Sequence, residues 1–495
     1  MDILEIIRKI KEYWYNLEKI DKYLILFLLF SFLIRIIFFT YSPIKGWDET
    51  VYLNLGSDLS NNPLLYSLEN SGWSDFISTP EPVYEWPNIG FRAPILPYIL
   101  SFFYFLKLDY LIPFLMPFIV SMSILLVYIL GQNMFNKKVG FYGAVFFSLI
   151  PINIFTSDKI WTDPLIVFFL LLTFISFWKG YENNNNKHKI LFGLFLALSL
   201  LSRYTTLWII PIFLIYFLIR DKSFKFLFDT YIWKAILVFM VTLLPWFIYG
   251  FVFYQNPLGG FVHGFKASAY WGGIQPWTYF IDNSWFIFSI IGWLFLASLF
   301  YIFYKKDYIK KEIYLLLIWF IFFYLIVTAM PHKEERFITP IIPAICLLSA
   351  FFVDKQKNHK KVILIIVCIL LINSFYGLYK LGIKESRNTV NRCFYAGNIF
   401  MAREIPVDNS LIITNKDPIV HYYTKRDTIV YPISWNLKLF RNLIETKYKD
   451  KLVYLYFSNY DMDMPGLIKD DLDKNFEKIY ECSIEIGYSA VYKYK

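Results

Sequence analysis

Two adjacent carboxylates, Asp48 and Glu49, stand in the stretch Gly46-Trp47-Asp48-Glu49-Thr50-Val51-Tyr52, directly after the first strongly apolar run of the chain. A carboxylate fixed there is placed to take a proton from a hydroxyl group at a membrane surface. The same residues also have a purely structural use. Asp48 can cap a helix running through Val51, Tyr52, Leu55 and Leu59, with Glu49 complementing its dipole. The two uses are compatible, because a helix start holds a carboxylate rigidly.

Three further groups carry charge beside apolar runs. Ser157-Asp158-Lys159-Ile160-Trp161-Thr162-Asp163-Pro164 leads into a hydrophobic segment. Asp163 followed by proline is a good helix start and structurally needs nothing more. Asp158 has no such use beyond solvation. Pro331-His332-Lys333-Glu334-Glu335-Arg336-Phe337 mixes both signs. Such a run is ordinarily a solvated face, yet Lys333 and Arg336 are donors suited to a phosphate. Arg35 lies inside the first apolar run, where a charge is costly and points to function unless it snorkels to the interface. Arg203 sits where two apolar runs meet without a loop.

No HExxH or paired-ligand spacing surrounds His263 or His332, and no glycine-rich nucleotide loop occurs. No cofactor is fixed by these residues. A divalent cation on oxygen ligands, Mg2+ or Mn2+, is compatible with Asp48, Glu49 or Asp158.

The elements that must position these residues are membrane helices. The chain is 57% hydrophobic and 21% aromatic, which fits a polytopic membrane protein and not a soluble one. Helical spans are expected at 23–41, 111–131, 138–155, 163–178, 190–203, 204–220, 232–252, 284–304, 312–329, 337–353 and 361–380, which makes eleven. The first reads as a retained signal anchor, and the shorter run 94–106 as a helix lying in the interface.

The net charge of +10 does not point to nucleic acid, because the cations gather in short loops. Alternate loops carry Lys137 and Lys138; Lys179, Lys187 and Lys189; Arg220, Lys222, Lys225 and Lys234; Lys305, Lys306, Lys310 and Lys311; and Lys355, Lys357, Lys360 and Lys361. The short opposite loops carry only Lys159, Arg203, Lys266, Lys333 and Arg336, and the long one at 42–110 sets eight acids against Lys45, Arg92 and Lys107. This asymmetry puts the N-terminus in the cytoplasm and the acidic and arginine motifs outside.

From about residue 384 the pattern changes. Strand-like runs at 411–414, 428–431, 452–457 and 488–494, with helical stretches near 390–403 and 436–447, indicate a small α/β domain. The expected organisation is a membrane domain over 1–383, with a long outer loop at 42–110, and an extracytoplasmic domain over 384–495. Cys393 and Cys482 lie in that domain and are candidates for a disulfide.

In these features the chain resembles the GT-C class of integral membrane glycosyltransferases, most closely its protein O-mannosyltransferase and aminoarabinose-transferase branch. The carriers are Asp48-Glu49 after the first span, Phe91-Arg92-Ala93-Pro94-Ile95-Leu96-Pro97, Trp161-Thr162-Asp163-Pro164, and the His332–Phe337 stretch, over about residues 20–380. Arg92-Ala93-Pro94 lacks the double proline common in the class. The resemblance implies a polyprenyl or dolichyl phosphate-linked sugar donor and transfer on the outer face. It also implies that Asp48 is the catalytic carboxylate.

The expectation is therefore an α-helical, multi-pass GT-C-like enzyme of the cell membrane that transfers a sugar, with inversion, to a protein, glycan or lipid acceptor. Asp48 and Glu49 are the catalytic candidates. Asp158, Asp163, Arg203, His332, Lys333, Glu335, Arg336, Arg35 and Arg92 are the substrate-binding candidates. Rival readings are a transporter of polyprenyl-linked sugars or lipids and a non-catalytic membrane subunit. The first fits poorly with spans nearly free of charge and polarity gathered on one face.

Overall fold

Long apolar stretches with no water to satisfy their backbones fold as helices that bond internally, and in the computed structural model the described residues of the expected spans are mainly helical. It describes residues 17–39, 45–68, 92–270, 273–378, 388–414, 416–430, 444–459 and 476–495, with residues 5, 442, 472 and 474. Among these, seven helical runs are long and apolar enough to cross a membrane: Asp109–Met134, Thr162–Glu182, Tyr204–Asp221, Thr230–Tyr254, Lys311–Ala329, Glu335–Asp354 and His359–Tyr376. An eighth is formed if Lys137–Leu149 and Pro151–Ser157, bent by 62°, count as one span. The described residues of the remaining expected spans are also mainly helical. Lys19–Phe39 carries Lys19, Asp21, Lys22 and Arg35, while Asn186–Ser202 and Ile290–Lys305 have 17 and 16 residues. The chain is a multi-pass membrane protein.

Two compact units make up the fold. The first comprises 1–39, 113–252 and 265–377, and the second 40–112, 253–264 and 378–495. The first unit is the helical bundle. Its interior is aromatic and aliphatic, with Phe174 stacked on the fully buried Trp319 at 3.7 Å between ring centroids.

In the second unit, helices α1 (Trp47–Asn61) and α2 (Ile95–Phe105) pack against each other. The contact is close enough that a Cβ on Gly56 would meet Leu100 Cβ at 2.6 Å, so only glycine fits there. Helices α3 (Thr389–Glu404) and α4 (Asp417–Thr424) join a five-stranded sheet of β1 (Ser410–Thr414), β2 (Asp427–Val430), β3 (Leu452–Ser458), β4 (Phe476–Ile484) and β5 (Gly487–Tyr494). The strand order is β2-β1-β3-β5-β4. β1 pairs in parallel with β2 and β3, Leu411 lying opposite Asp427 and Val453, and β5 runs antiparallel to β3 and β4. Alternation puts Leu411, Ile413 and Leu455 into one core. Ile412, Tyr454, Tyr456 and Val491 face the other, against Phe394 and Met401 of α3 and Ile419 and Val420 of α4.

Four of the five strands were legible as apolar runs. β4 was not, because FEKIYECSI is an edge strand whose charged, mostly exposed residues hide the pattern. Short, proline-initiated α4 was likewise missed. Of the helix expected at 436–447, residues 442 and 444–447 are helical, and the rest lies outside the described residues. The candidate disulfide is formed: Cys393 of α3 and Cys482 of β4 are bonded, with Cα atoms 5.4 Å apart.

Candidate active site

The acidic motif opens α1. The residue before the helix is Gly46, so Asp48 is its second residue and not its cap. The capping task falls to Glu49, whose Oε2 accepts the Gly46 N–H at 2.8 Å while Oε1 lies 3.7 Å from Lys45 Nζ. A glutamate three residues into a helix does this by reaching back to an orphan donor. Its side chain is 1% exposed.

Asp48 points elsewhere. Its Oδ1 accepts a bond from Arg92 Nη2 at 2.5 Å, and its side chain remains 21% exposed. Arg92 precedes α2 and is itself set against the rings of Tyr52 and Trp47, 5.4 and 5.9 Å from their centroids. The two carboxylates that are neighbours in sequence thus have separate tasks. Arg92 acts on Asp48 directly, as its partner.

The first unit holds a second cluster. Asp163, second residue of the Thr162–Phe177 helix and almost fully buried, accepts from Arg203 Nη1 at 2.7 Å and has Arg336 Nη1 at 4.0 Å. It is therefore more than a helix start: one carboxylate gathers two guanidinium groups. Arg203 terminates one helix and opens a 3-10 turn, which explains the missing loop. Its guanidinium lies over Phe337 at 4.4 Å, and that of Arg336 over Trp161 at 4.1 Å. Glu334 accepts from Arg336 Nε at 2.5 Å and pairs with His332 Nε2 at 3.0 Å. The two guanidinium groups are thus held in place by a buried carboxylate, the half-buried Glu334 and aromatic faces. Beside Arg203 opens a mostly apolar crevice lined by Ile166, Trp208, Phe323, Val327, Phe337 and Pro340.

The remaining candidates are placed differently. Lys333 is buried, and its ammonium donates to the carbonyls of Met330 at 2.6 Å and Gln275 at 3.0 Å. Burial pulls its pKa down. Two of its three N–H donors are thus engaged in tying loops together. Glu335 bonds to the Tyr279 hydroxyl, and Asp158 lies 3.9 Å from Lys159 Nζ.

Arg35 does not join the arginine cluster. It is fully buried and bonds Ser31 of its own helix and the Ser148 carbonyl at 2.6 Å, which ties two helices together. Neither charge nor spacing distinguished this use from a ligand-binding one. Glu334, Trp161 and Phe337 stood within the quoted motifs, but their role as partners of Arg336 and Arg203 needed the third dimension. Among the described residues no three of His, Cys, Asp or Glu converge as a metal cage.

A model of the Alg9-like mannosyltransferase family matches residues 83–391. The chain belongs to that family. Its fold is that of solved membrane glycosyltransferases. ArnT from Cupriavidus metallidurans bound to undecaprenyl phosphate superposes with a TM-score of 0.71 at 10% identity, covering 95% of this chain and 98% of that one. The archaeal oligosaccharyltransferase AglB from Archaeoglobus fulgidus, in complex with an inhibitory peptide and a dolichol-phosphate, gives a TM-score of 0.60 at 13% identity over 88% of this chain and 70% of that one. An uncharacterized protein of Aquifex aeolicus (strain VF5) is 24% identical over 225 residues, so the chain spans only 44% of that relative. The GT-C resemblance drawn from the motifs is borne out by family and fold.

Proposed function

We propose that this protein transfers a sugar from a polyprenyl or dolichyl phosphate to a hydroxyl or other nucleophile on a protein, glycan or lipid, with inversion. The observation that carries the assignment of roles is the difference between the two motif carboxylates. Glu49 is 1% exposed and spent on a helix cap, whereas Asp48 is 21% exposed and oriented by Arg92. A general base must reach its substrate, so Asp48 is the base and Glu49 positions it.

In the reaction the acceptor O–H gives its proton to the Asp48 carboxylate. The acceptor oxygen forms a bond to the anomeric carbon. The bond from that carbon to the phosphate oxygen breaks, and the polyprenyl phosphate leaves with the electron pair. Arg203 and Arg336 are assigned to the phosphate, where charge-assisted bonds are strongest. The undecaprenyl phosphate and dolichol-phosphate carried by the structures of similar fold support this donor class.

The motif face and the C-terminal domain are assigned to the extracytoplasmic side. The loop-charge asymmetry supports this, and so does the Cys393–Cys482 bond, since disulfides persist in oxidising compartments. The test is transfer of a labelled sugar from a short-chain polyprenyl phosphate donor by the purified, reconstituted protein. Asp48→Asn at the parental rate would refute the assignment of Asp48 as base.

A further inference from the structure

Asp48 is the second residue of α1, so its position depends on how the chain enters that helix. The first-turn N–H groups of a helix have no helical acceptors, and whatever takes the N–H groups at the entry fixes its direction. Glu49 takes the Gly46 N–H. The preceding one, that of Lys45, donates to the Tyr423 hydroxyl at 2.9 Å, across 378 positions of sequence. A second tie reaches α1 itself: Asn54 Nδ2 donates to the Pro418 carbonyl of α4 at 2.9 Å. Pro418 and Tyr423 lie toward opposite ends of α4, so that helix is fastened at one point to α1 and at another to the chain entering it. The Tyr423 ring is itself seated edge-on against Tyr395 and Tyr422, 5.6 and 5.1 Å between centroids, which gives its hydroxyl a defined place.

We propose that the C-terminal α/β domain belongs to the transfer machinery, with Tyr423 of α4 as the positioning residue that sets the entry to α1 and thereby aims Asp48. The inference rests on the assignment of Asp48 as base. Tyr423 touches no reacting atom in this scheme; it acts through the Lys45–Gly46 backbone and the helix that follows.

Tyr423→Phe keeps the ring and removes the acceptor for the Lys45 N–H. In the reconstituted transfer assay it is expected to lower kcat by about three- to tenfold, the range one lost hydrogen bond spans, with the donor KM unchanged. The structural control is Tyr456→Phe, which removes a buried bond to the Phe394 carbonyl at 2.7 Å in the core of the same domain. That variant is expected to lower the unfolding midpoint and leave the kcat of folded protein at the parental value. The decisive arm puts Tyr423→Phe into the Asp48→Asn background, where it is expected to cause no further loss, because the group it aims is gone. Parental kcat in Tyr423→Phe, or an equal loss with and without Asp48, overturns the proposal. Parental activity in Asp48→Asn alone sinks the base assignment first, whatever Tyr423 does.

Discussion

Arg92 Nη2 lies 2.5 Å from Asp48 Oδ1, and this ion pair joins the start of α1 to the approach to α2. It separates the orientation of the proposed base from the capping of its helix, which Glu49 performs 2.8 Å from the Gly46 nitrogen. Asp48→Asn is therefore expected to fold normally and to lose about 10²–10⁴-fold in kcat, the usual worth of a general base. Glu49→Gln keeps a side-chain oxygen for the cap and is expected to lose far less. Initial rates of sugar transfer, normalised to folded protein, check both.

The arginine cluster predicts a graded series. Arg203→Ala and Arg336→Ala are each expected to weaken donor binding at least tenfold, as loss of a charge-assisted contact does. Lys333→Ala is expected to reduce yield instead, since its ammonium serves the Met330 and Gln275 carbonyls. The exposed Lys306 provides the neutral comparison. Donor titration with yield recorded for each variant distinguishes the three classes. Equal small effects at Arg203, Arg336 and Lys306 would leave the arginine cluster a packing feature of the bundle with no part in donor binding.

Arg35→Ala is expected to lower yield and thermal stability while leaving the turnover of folded protein unchanged. The guanidinium serves Ser31 and Ser148 and no other described partner. A selective loss of donor affinity in this variant would contradict that placement.

Asp58 gives a pH signature. Burial pushes its carboxyl up to about 6, partly opposed by the Lys425 ammonium. The folded state then binds more protons than the unfolded one between the ordinary carboxylate range and that value, so stability falls as pH rises through this window and is flat above it. Asp58→Asn removes the buried charge and is expected to stabilise the protein at pH 7 by about 1–2 kcal/mol, with the advantage gone below the ordinary carboxylate range. Thermal unfolding of parent and variant across pH 4–8 measures it.

Topology and the disulfide can be tested together. A membrane-impermeant thiol reagent on intact cells is expected to label Cys393 and Cys482 only after reduction, and a tag within residues 300–311 to be reachable only from the cytoplasm. Cys393→Ser is expected to cost about 2–4 kcal/mol, as loss of a disulfide closing a long loop does. A cytoplasmic C-terminal domain would remove the outer-face assignment.

Much of this protein was written locally. Runs of about 20 apolar residues determined its helices, because within a membrane such a run satisfies its own backbone only as a helix. The acidic, arginine and tryptophan motifs marked themselves as candidates by residue type and position between those runs. The alternating strands at 411–414 and 452–457 announced a sheet. What the sequence could not decide was who partners whom. Asp48 and Glu49 are neighbours in the chain, and nothing local says that one meets Arg92 while the other caps its own helix. Asp163 looked like an ordinary helix start until folding brought Arg203, 40 residues away, and Arg336 to one carboxylate. Arg35 could have served a ligand or a neighbouring helix, and only packing against Ser148 settles which. Tyr423 carried no signal at all, since its meaning lies in a hydrogen bond to a backbone N–H 378 residues away. Periodicity and local chemistry fix what each element is. Long-range charge pairing and hydrogen bonding exist only once the chain has folded, and they decide what each charged residue does.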